Sequence, residues 1–241
     1  MIQLITFDLD DTLWDNGPVI RKAVKECYSW LLKKCPELEG VYDSVSLNDL
    51  KDEIKSTRPE FAHRVSEVRV VGMKMALERV GYKTDEAMIL AREAFEVFHH
   101  WRHQIELFEG AEEVLEQLAE KYPLAVVTNG NADVKKLGLG KYFRFSVSAE
   151  DMNRSKPDPV VFMRVLELAG VTPEHAIHVG DNLITDVQGA SDVGMRTVWF
   201  NPDKAAIKKA AITEENYKPD SVVHSLEDIP AAIENLSVRV W

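Results

Sequence analysis

Asp8-Leu9-Asp10-Asp11-Thr12 follows directly on the apolar run Leu4-Ile5-Thr6-Phe7, and these are the residues of the chain best suited to chemistry. Acidic residues are poor strand formers, so three of them at the end of a buried-looking strand need a cause. In extended backbone, residues two apart point the same way, which turns Asp8 and Asp10 toward one site. Two carboxylates that close repel each other unless a cation lies between them or one takes a proton. A hard, oxygen-seeking ion such as Mg²⁺ resolves that conflict. A carboxylate beside such an ion can attack a phosphoryl group and become an aspartyl phosphate. A surface acidic turn is the plain alternative for the same residues.

What positions them is a series of short apolar runs, each ending in a polar or glycine-rich turn: Leu4–Phe7, Leu124–Val127, Phe145–Val147, Ala176–Val179 and Thr197–Phe200. Helical patterns lie between most of them, at Ala111–Lys121, Val160–Ala169 and Thr185–Val193. Alternating helices and near-continuous apolar strands predict an α/β fold with a parallel, doubly wound sheet. The gap between the first two runs is too long for a single crossover helix and too structured for a loop. Within it, Val19–Leu32, Leu47–Ser56, Phe61–Val80 and Thr84 to about His103 all carry apolar residues at helical spacing. The expectation is an all-helical domain at 18–104, inserted into a core made of 1–17 and 105–241.

In open α/β sheets, ligands bind beyond the carboxyl ends of the strands. The second run ends in Thr128-Asn129-Gly130, whose hydroxyl and backbone N–H groups suit phosphate oxygens, although such a triplet is more often a plain turn. After the third comes Lys156, just before Pro157. A lysine is mostly a solvated residue, yet a phosphate site needs a point positive charge. The fourth ends in Gly180-Asp181, with Asp186 five residues beyond Asp181. Asp181 matches the position of Asp8 and could complete a metal site, while Asp186 could equally cap the next helix.

The order Asp-Leu-Asp-Asp-Thr, Thr-Asn-Gly, Ser-Lys-Pro and Gly-Asp-Asn-Leu-Ile-Thr-Asp resembles the haloacid dehalogenase superfamily, in particular its phosphatase branch. The resemblance implies a Rossmann-like core with a helical cap inserted after the first motif. It makes Asp8 the nucleophile, and Asp10 the acid that protonates the leaving alcohol and then the base that activates water. Thr128 and Asn129 would hold phosphoryl oxygens, and Lys156 would offset negative charge on Asp8. Asp8, the backbone carbonyl of Asp10, and Asp181 would bind Mg²⁺, with Asp186 supporting Lys156 or a water of the metal. Dehalogenases of the family lack the second aspartate of the first motif, so Asp10 points to phosphate chemistry. The cap implies leaving-group contacts from among Trp14, Asn16, Arg58, His63, Arg69 and the cluster His99 to His103. Trp14 either stacks on a flat substrate or packs at the hinge. His99 and His103 are four apart, a zinc-like spacing without a third ligand. Phe7–Ile20, Thr128–Ala132, Arg154–Pro157 and His178–Ala190 together are similar to a narrower bacterial group that dephosphorylates flavin mononucleotide and a ribitylamino-pyrimidine phosphate of riboflavin synthesis. A sugar-phosphate or nucleotide phosphatase and a phosphomutase share the same core residues. A phospho-acceptor signalling domain has no insert and a different placement of its acidic pair.

Composition argues against a nucleic-acid partner, and the resemblance implies a small phosphate ester as the substrate. The 241 residues are 45% hydrophobic and 29% charged, with a net charge of −11, the balance of a globular protein without the basic patch of a nucleic-acid binder. No apolar stretch is long enough to span a membrane, and the first residues lack the basic start of a signal peptide. Cys27 and Cys35 are the only cysteines and read as reduced thiols. The expected location is cytoplasmic.

Overall fold

The computed structural model describes residues 1–202 and 217–238; the rest of the expected core, 203–216 and 239–241, lies outside the described residues. The chain opens with β1 (Leu4–Phe7), buried throughout. Four helices follow: α1 (Asn16–Lys34), α2 (Ser44–Thr57), α3 (Val65–Arg79) and α4 (Thr84–Arg102). Then come α5 (Ala111–Lys121), β2 (Leu124–Thr128), β3 (Phe143–Ser148), α6 (Ala149–Met152), α7 (Pro159–Ala169) and β4 (Ala176–Gly180). A π-helical turn at Leu183–Gln188 continues into α8 (Gly189–Asp192), and β5 (Arg196–Phe200), β6 (Ser221–Val223) and α9 (Ile229–Val238) complete the described chain.

The strands form one sheet in the order β3-β2-β1-β4-β5-β6, with every neighbouring pair parallel. The chain steps outward through β2 and β3 on one side of β1, then through β5 and β6 on the far side of β4. Such a reversal opens a crevice beyond the carboxyl ends of the two central strands. β1, β2 and β4 are buried at every position, as parallel strands covered on both faces must be. Only Thr6 and His178 interrupt the apolar run of the central pair, and they face each other in register.

Sequence and structure part at several places. β6 was not expected; three residues paired only to β5 at the sheet edge are too short to show a pattern. Residues 59–61 form a separate 3₁₀ turn, in which Ala62 N–H donates to Pro59 and Arg64 N–H to Phe61, so α3 begins only at Val65. The helix expected at Thr185–Val193 starts earlier and wider, because the Asn182 side chain accepts from the N–H groups of Ile184 and Thr185, both at 3.0 Å. Val187 N–H then reaches back five residues to the Asn182 carbonyl.

Residue contacts divide the chain into two units, one made of Met1–Asp15 with the chain from Glu106 onward, the other of Asn16–Ile105. The second has its own core: Ala23, Cys27 and Leu31 of α1, Leu47 and Leu50 of α2, Met73 and Leu77 of α3, and Ala87, Ala91, Ala94 and Phe98 of α4. Recurrence every three or four residues turns one stripe of each helix inward. α2 begins at a reciprocal cap: Asp43 accepts from Ser46 N–H at 2.7 Å, and Ser46 Oγ accepts from Asp43 N–H at 2.9 Å. Replacing such a cap by alanine costs about 1 kcal/mol.

Both cysteines of this unit are free and buried. Cys27 Sγ lies 3.2 Å from the Ala94 carbonyl, and burial pushes its pKa up to about 12. Burial also raises Cys35. Because the thiolate is the reactive form, native protein at pH 8 should show no fast-reacting thiol toward Ellman's reagent, and two in denaturant. A rapid burst from native protein would contradict the burial.

Candidate active site

Asp8 is the first residue past β1, and its N–H donates to the Val179 carbonyl at 2.9 Å, extending the ladder onto β4. The chain then turns tightly. Thr12 and Leu13 N–H groups both donate to the Leu9 carbonyl, and Asp11 takes a left-handed φ of 63°, a conformation aspartate tolerates better than most residues. Leu9 is fully buried. Thr12, also fully buried, donates from Oγ1 to Asp181 Oδ1 at 3.1 Å.

Lys156 is the centre of the arrangement. It is 3% exposed, and its Nζ lies 2.7 Å from Asp8 Oδ1 and 2.5 Å from Asp186 Oδ1. Asn129 holds its main chain from both sides: Oδ1 accepts from Lys156 N–H at 2.8 Å, and Nδ2 donates to the Lys156 carbonyl at 3.1 Å. The structure thus sets the Asn129 amide against the lysine backbone, a positioning task not anticipated beside the phosphate-binding one. Thr128 is buried at the end of β2, and its Oγ1 accepts from Gly130 N–H at 3.0 Å. That bond leaves the hydroxyl proton available for an anion.

Asp186 accepts on both oxygens, from Lys156 Nζ and His178 Nε2 on Oδ1 and from Asn182 N–H at 3.0 Å on Oδ2. Burial alone would raise its pKa; the Lys156 ammonium and the bond from His178 hold it well below the usual range. An ionised carboxylate only accepts, so His178 Nε2 carries the proton. Nδ1 must then accept from the Thr6 hydroxyl, 2.8 Å away. Burial lowers the pKa of His178, keeping it neutral. Lys156 is raised despite its burial, by Asp186 and Asp8.

The carboxylates of Asp8, Asp181 and Asp186 offer oxygens within 4.8 Å of one another. Burial pushes Asp8 up to about 8 against the opposing pull of Lys156, with Asp186 and Asp181 adding to the rise. Asp181 rises to about 7 through burial and the charges of Asp186 and Asp11. Those are the signs of a site short of positive charge. An all-oxygen donor set with uncompensated negative charge fits a hard divalent ion. Asp186 already has its oxygens engaged, so Asp8 and Asp181 are the carboxylates better placed to hold one.

The Asp10 carboxylate is not part of this cluster of three. Its backbone forms an isolated bridge with Trp14, which bridges in turn to Leu107. Trp14 is fully buried. His99 and His103 pack edge to face at 4.4 Å, and His103 Nδ1 lies 2.6 Å from the His99 carbonyl, which takes that nitrogen away from a metal. Thr6, Thr12 and His178 were missed by sequence reasoning. His178 carried a readable signal, a lone polar residue within Ala176-Ile177-His178-Val179.

Residues 2–194 match the family model described as haloacid dehalogenase-like hydrolase. The chain is 36% identical over 202 residues, 84% of its own length and 84% of the relative's, to the 5-amino-6-(5-phospho-D-ribitylamino)uracil phosphatase YigB of Escherichia coli. It is 28% identical to the glyceraldehyde 3-phosphate phosphatase of Pyrococcus furiosus, over 85% of this chain and 83% of that one. Among solved structures, a 2-haloacid dehalogenase from Pseudomonas syringae pv. Tomato superposes with a TM-score of 0.89 at 41% identity, covering 98% of this chain and 99% of that one. The chain belongs to the haloacid dehalogenase-like hydrolase family, and within it is a hydrolase of the phosphatase type.

The bond from His178 to Asp186 can be tested directly. His178→Phe removes a donor from a carboxylate that orients Lys156, and turnover should fall about 10–100-fold, the usual cost of losing such a partner. His178→Gln keeps an N–H donor and should recover most of the loss. Equal losses in the two variants, with equal drops in melting temperature, would make His178 a packing residue only.

Proposed function

We propose that the protein is a Mg²⁺-dependent phosphatase that hydrolyses a small phosphorylated metabolite through an aspartyl phosphate on Asp8. The observation that carries this reading is Lys156 Nζ, bonded at once to Asp8 and Asp186 beside Asp181. Asp8, the carbonyl of Asp10, and Asp181 would hold the ion, which when bound supplies positive charge against the carboxylates and the phosphoryl oxygens.

An Asp8 oxygen attacks phosphorus as the bond to the ester oxygen breaks, and Asp10 passes its proton to the departing alcohol. Asp10, now a carboxylate, takes a proton from water; the resulting oxygen attacks the same phosphorus, and Asp8 leaves as a free carboxylate with inorganic phosphate. Lys156 stays bonded to Asp8 and offsets charge on the transferring group. The Thr128 hydroxyl donates to a phosphoryl oxygen. Positioning and electrostatics supply most of the acceleration in such transfers.

For the substrate we propose a riboflavin-pathway phosphate or flavin mononucleotide, supported by the 36% identity to the ribitylaminouracil phosphate phosphatase. Sugar phosphates and nucleotides are the next class, and return of the phosphoryl group to a sugar would make the protein a phosphomutase. The relative named a 2-haloacid dehalogenase favours a second reading, displacement of halide from a 2-haloacid by Asp8. Asp10 argues against it, because halide leaves without a proton. We place the enzyme in the cytoplasm, a reading that two free, buried thiols support. Among the described residues, no helix is long and apolar enough to cross a membrane.

A panel of phosphorylated metabolites, with 2-chloropropionate as control, should release phosphate with Mg²⁺ and no chloride. EDTA should abolish phosphate release, and added Mg²⁺ should restore it; unchanged turnover after exhaustive chelation would remove the metal site. Asp8→Asn should abolish turnover with the fold intact, since an amide has nearly the same shape but cannot form the acyl phosphate. Asp10→Asn should lose far more activity on alkyl phosphates than on p-nitrophenyl phosphate, whose leaving group needs little protonation. Equal losses on both would contradict the acid role.

A further inference from the structure

β5 carries an indole next to the candidate metal carboxylates. The strand pairs with β4 on one side and with β6 on the other, and its ladder to β4 ends with Gly180 opposite Trp199. Asp181 is the next residue, so its carbonyl lies one step beyond the last strand pair. A buried parallel strand needs only a large apolar side chain here, and Phe200 meets that need against Phe108. Tryptophan adds a single polar atom, an N–H that can only donate and that usually finds a partner when buried. Trp199 is 6% exposed, and its Nε1 donates to the Asp181 carbonyl at 2.7 Å.

The other end of the same peptide unit is held as well. Asn182 N–H, attached to that carbonyl carbon, donates to Asp186 Oδ2 at 3.0 Å. Because a peptide is planar, one bond on its oxygen and one from its nitrogen fix how the plane is turned. The Asp181 side chain is set separately, by the Thr12 hydroxyl on Oδ1 at 3.1 Å. The indole is itself held in place, since Leu183 and Val187 share one buried cluster with it and Val222 packs against that cluster.

We propose that Trp199 is a positioning residue for metal binding: its indole and the Asp186 carboxylate clamp the Asp181–Asn182 peptide, and the clamp sets the Asp181 carboxylate beside that of Asp8. The inference rests on the reading of Asp181 as a Mg²⁺ ligand and extends it to a side chain that acts through its neighbour. Carboxylate oxygens of Asp8, Asp181 and Asp186 lie within 4.8 Å of one another, and like charges that close drive each other apart. A peptide fixed at both ends withstands that push, so an ion meets ligands already in place. Outer partners of this kind ordinarily change metal affinity by about tenfold or more.

The test is calorimetric titration of the full chain with Mg²⁺ in the absence of substrate, alongside melting curves in EDTA. Placing 3-benzothienylalanine at position 199 keeps the bicyclic shape and replaces the N–H by sulfur. That protein should bind Mg²⁺ about tenfold more weakly and melt within about 4 °C of wild type. Trp199→Phe should weaken Mg²⁺ binding at least as much and melt lower still, because packing against Leu183 and Val187 is reduced too. An indole that serves packing alone would leave the benzothienyl protein with the Mg²⁺ affinity of wild type, and that result overturns the proposal. Asp181→Asn in the same titration tests the metal reading by itself. Weakened binding there, with wild-type affinity in the benzothienyl protein, overturns the clamp and leaves the phosphatase reading standing. Wild-type affinity in Asp181→Asn removes the ligand assignment and the clamp together.

Discussion

One buried ammonium holds the candidate active site of this molecule together. Lys156 Nζ is the meeting point of Asp8, at the end of β1, and Asp186, in the turn after β4. Those carboxylates come from the two strands that flank the reversal of the sheet, so a single ion pair network spans the point where a ligand crevice opens. Removing one partner of such a buried pair costs about 3–5 kcal/mol, because the other charge is left uncompensated. The network is nonetheless unbalanced, with one ammonium against the carboxylates of Asp8, Asp181 and Asp186. Asp186 is held ionised by its donors, while Asp8 and Asp181 are pushed upward by burial and by their neighbours. The imbalance is what leaves room for further positive charge between the latter two.

Fixing an ammonium in such a place requires that its backbone cannot wander. Asn129 does this at the end of β2, accepting and donating to the two sides of Lys156. The lysine is therefore set by three strand ends: β2 through its backbone, β1 and β4 through its side chain. Behind it runs a chain of bonds from Thr6 through His178 to Asp186, buried in the middle of the sheet. Thr6 Oγ1 lies within reach of both the Ile177 carbonyl and His178 Nδ1, so it is the Asp186 carboxylate that makes His178 Nε2 the donor, without any exposed group.

Much of this was legible in the sequence, and the residues show why. Asp8, Thr128, Lys156, Asp181 and Asp186 stand out because polar groups at the ends of buried parallel strands have no packing reason to be there. The helical unit was legible from its periodicity, which four inward stripes of Ala, Leu and Met account for. What escaped was whatever depends on three-dimensional neighbours. Asn129 reads as a turn residue or, by the resemblance, as a phosphate ligand, until its amide is seen against the Lys156 backbone. Trp14 reads equally as a stacking surface or as hinge packing, and its full burial is visible only in three dimensions. β6 escaped because its pairing with β5, not its own three residues, makes it a strand.

The arrangement also depends on side chains that are missing. A Cβ at Gly180 would fall on the Asp186 carboxyl, and one at Gly189 would come within 2.7 Å of the Phe162 ring and 3.0 Å of Pro157. The first glycine lets Asp186 come back beneath the end of β4; the second lets α8 lie against the turn that carries the lysine. The wide turn at Leu183–Gln188 supplies the matching backbone, since its five-residue reach shifts Asp186 from where a regular α-helix would put it. A tighter helix with an alanine at 180 would still present the same acids and the same lysine to a sequence reader. It would not bring Asp186 within 2.5 Å of Lys156, and Asp8 would lose the partner that shares its cation.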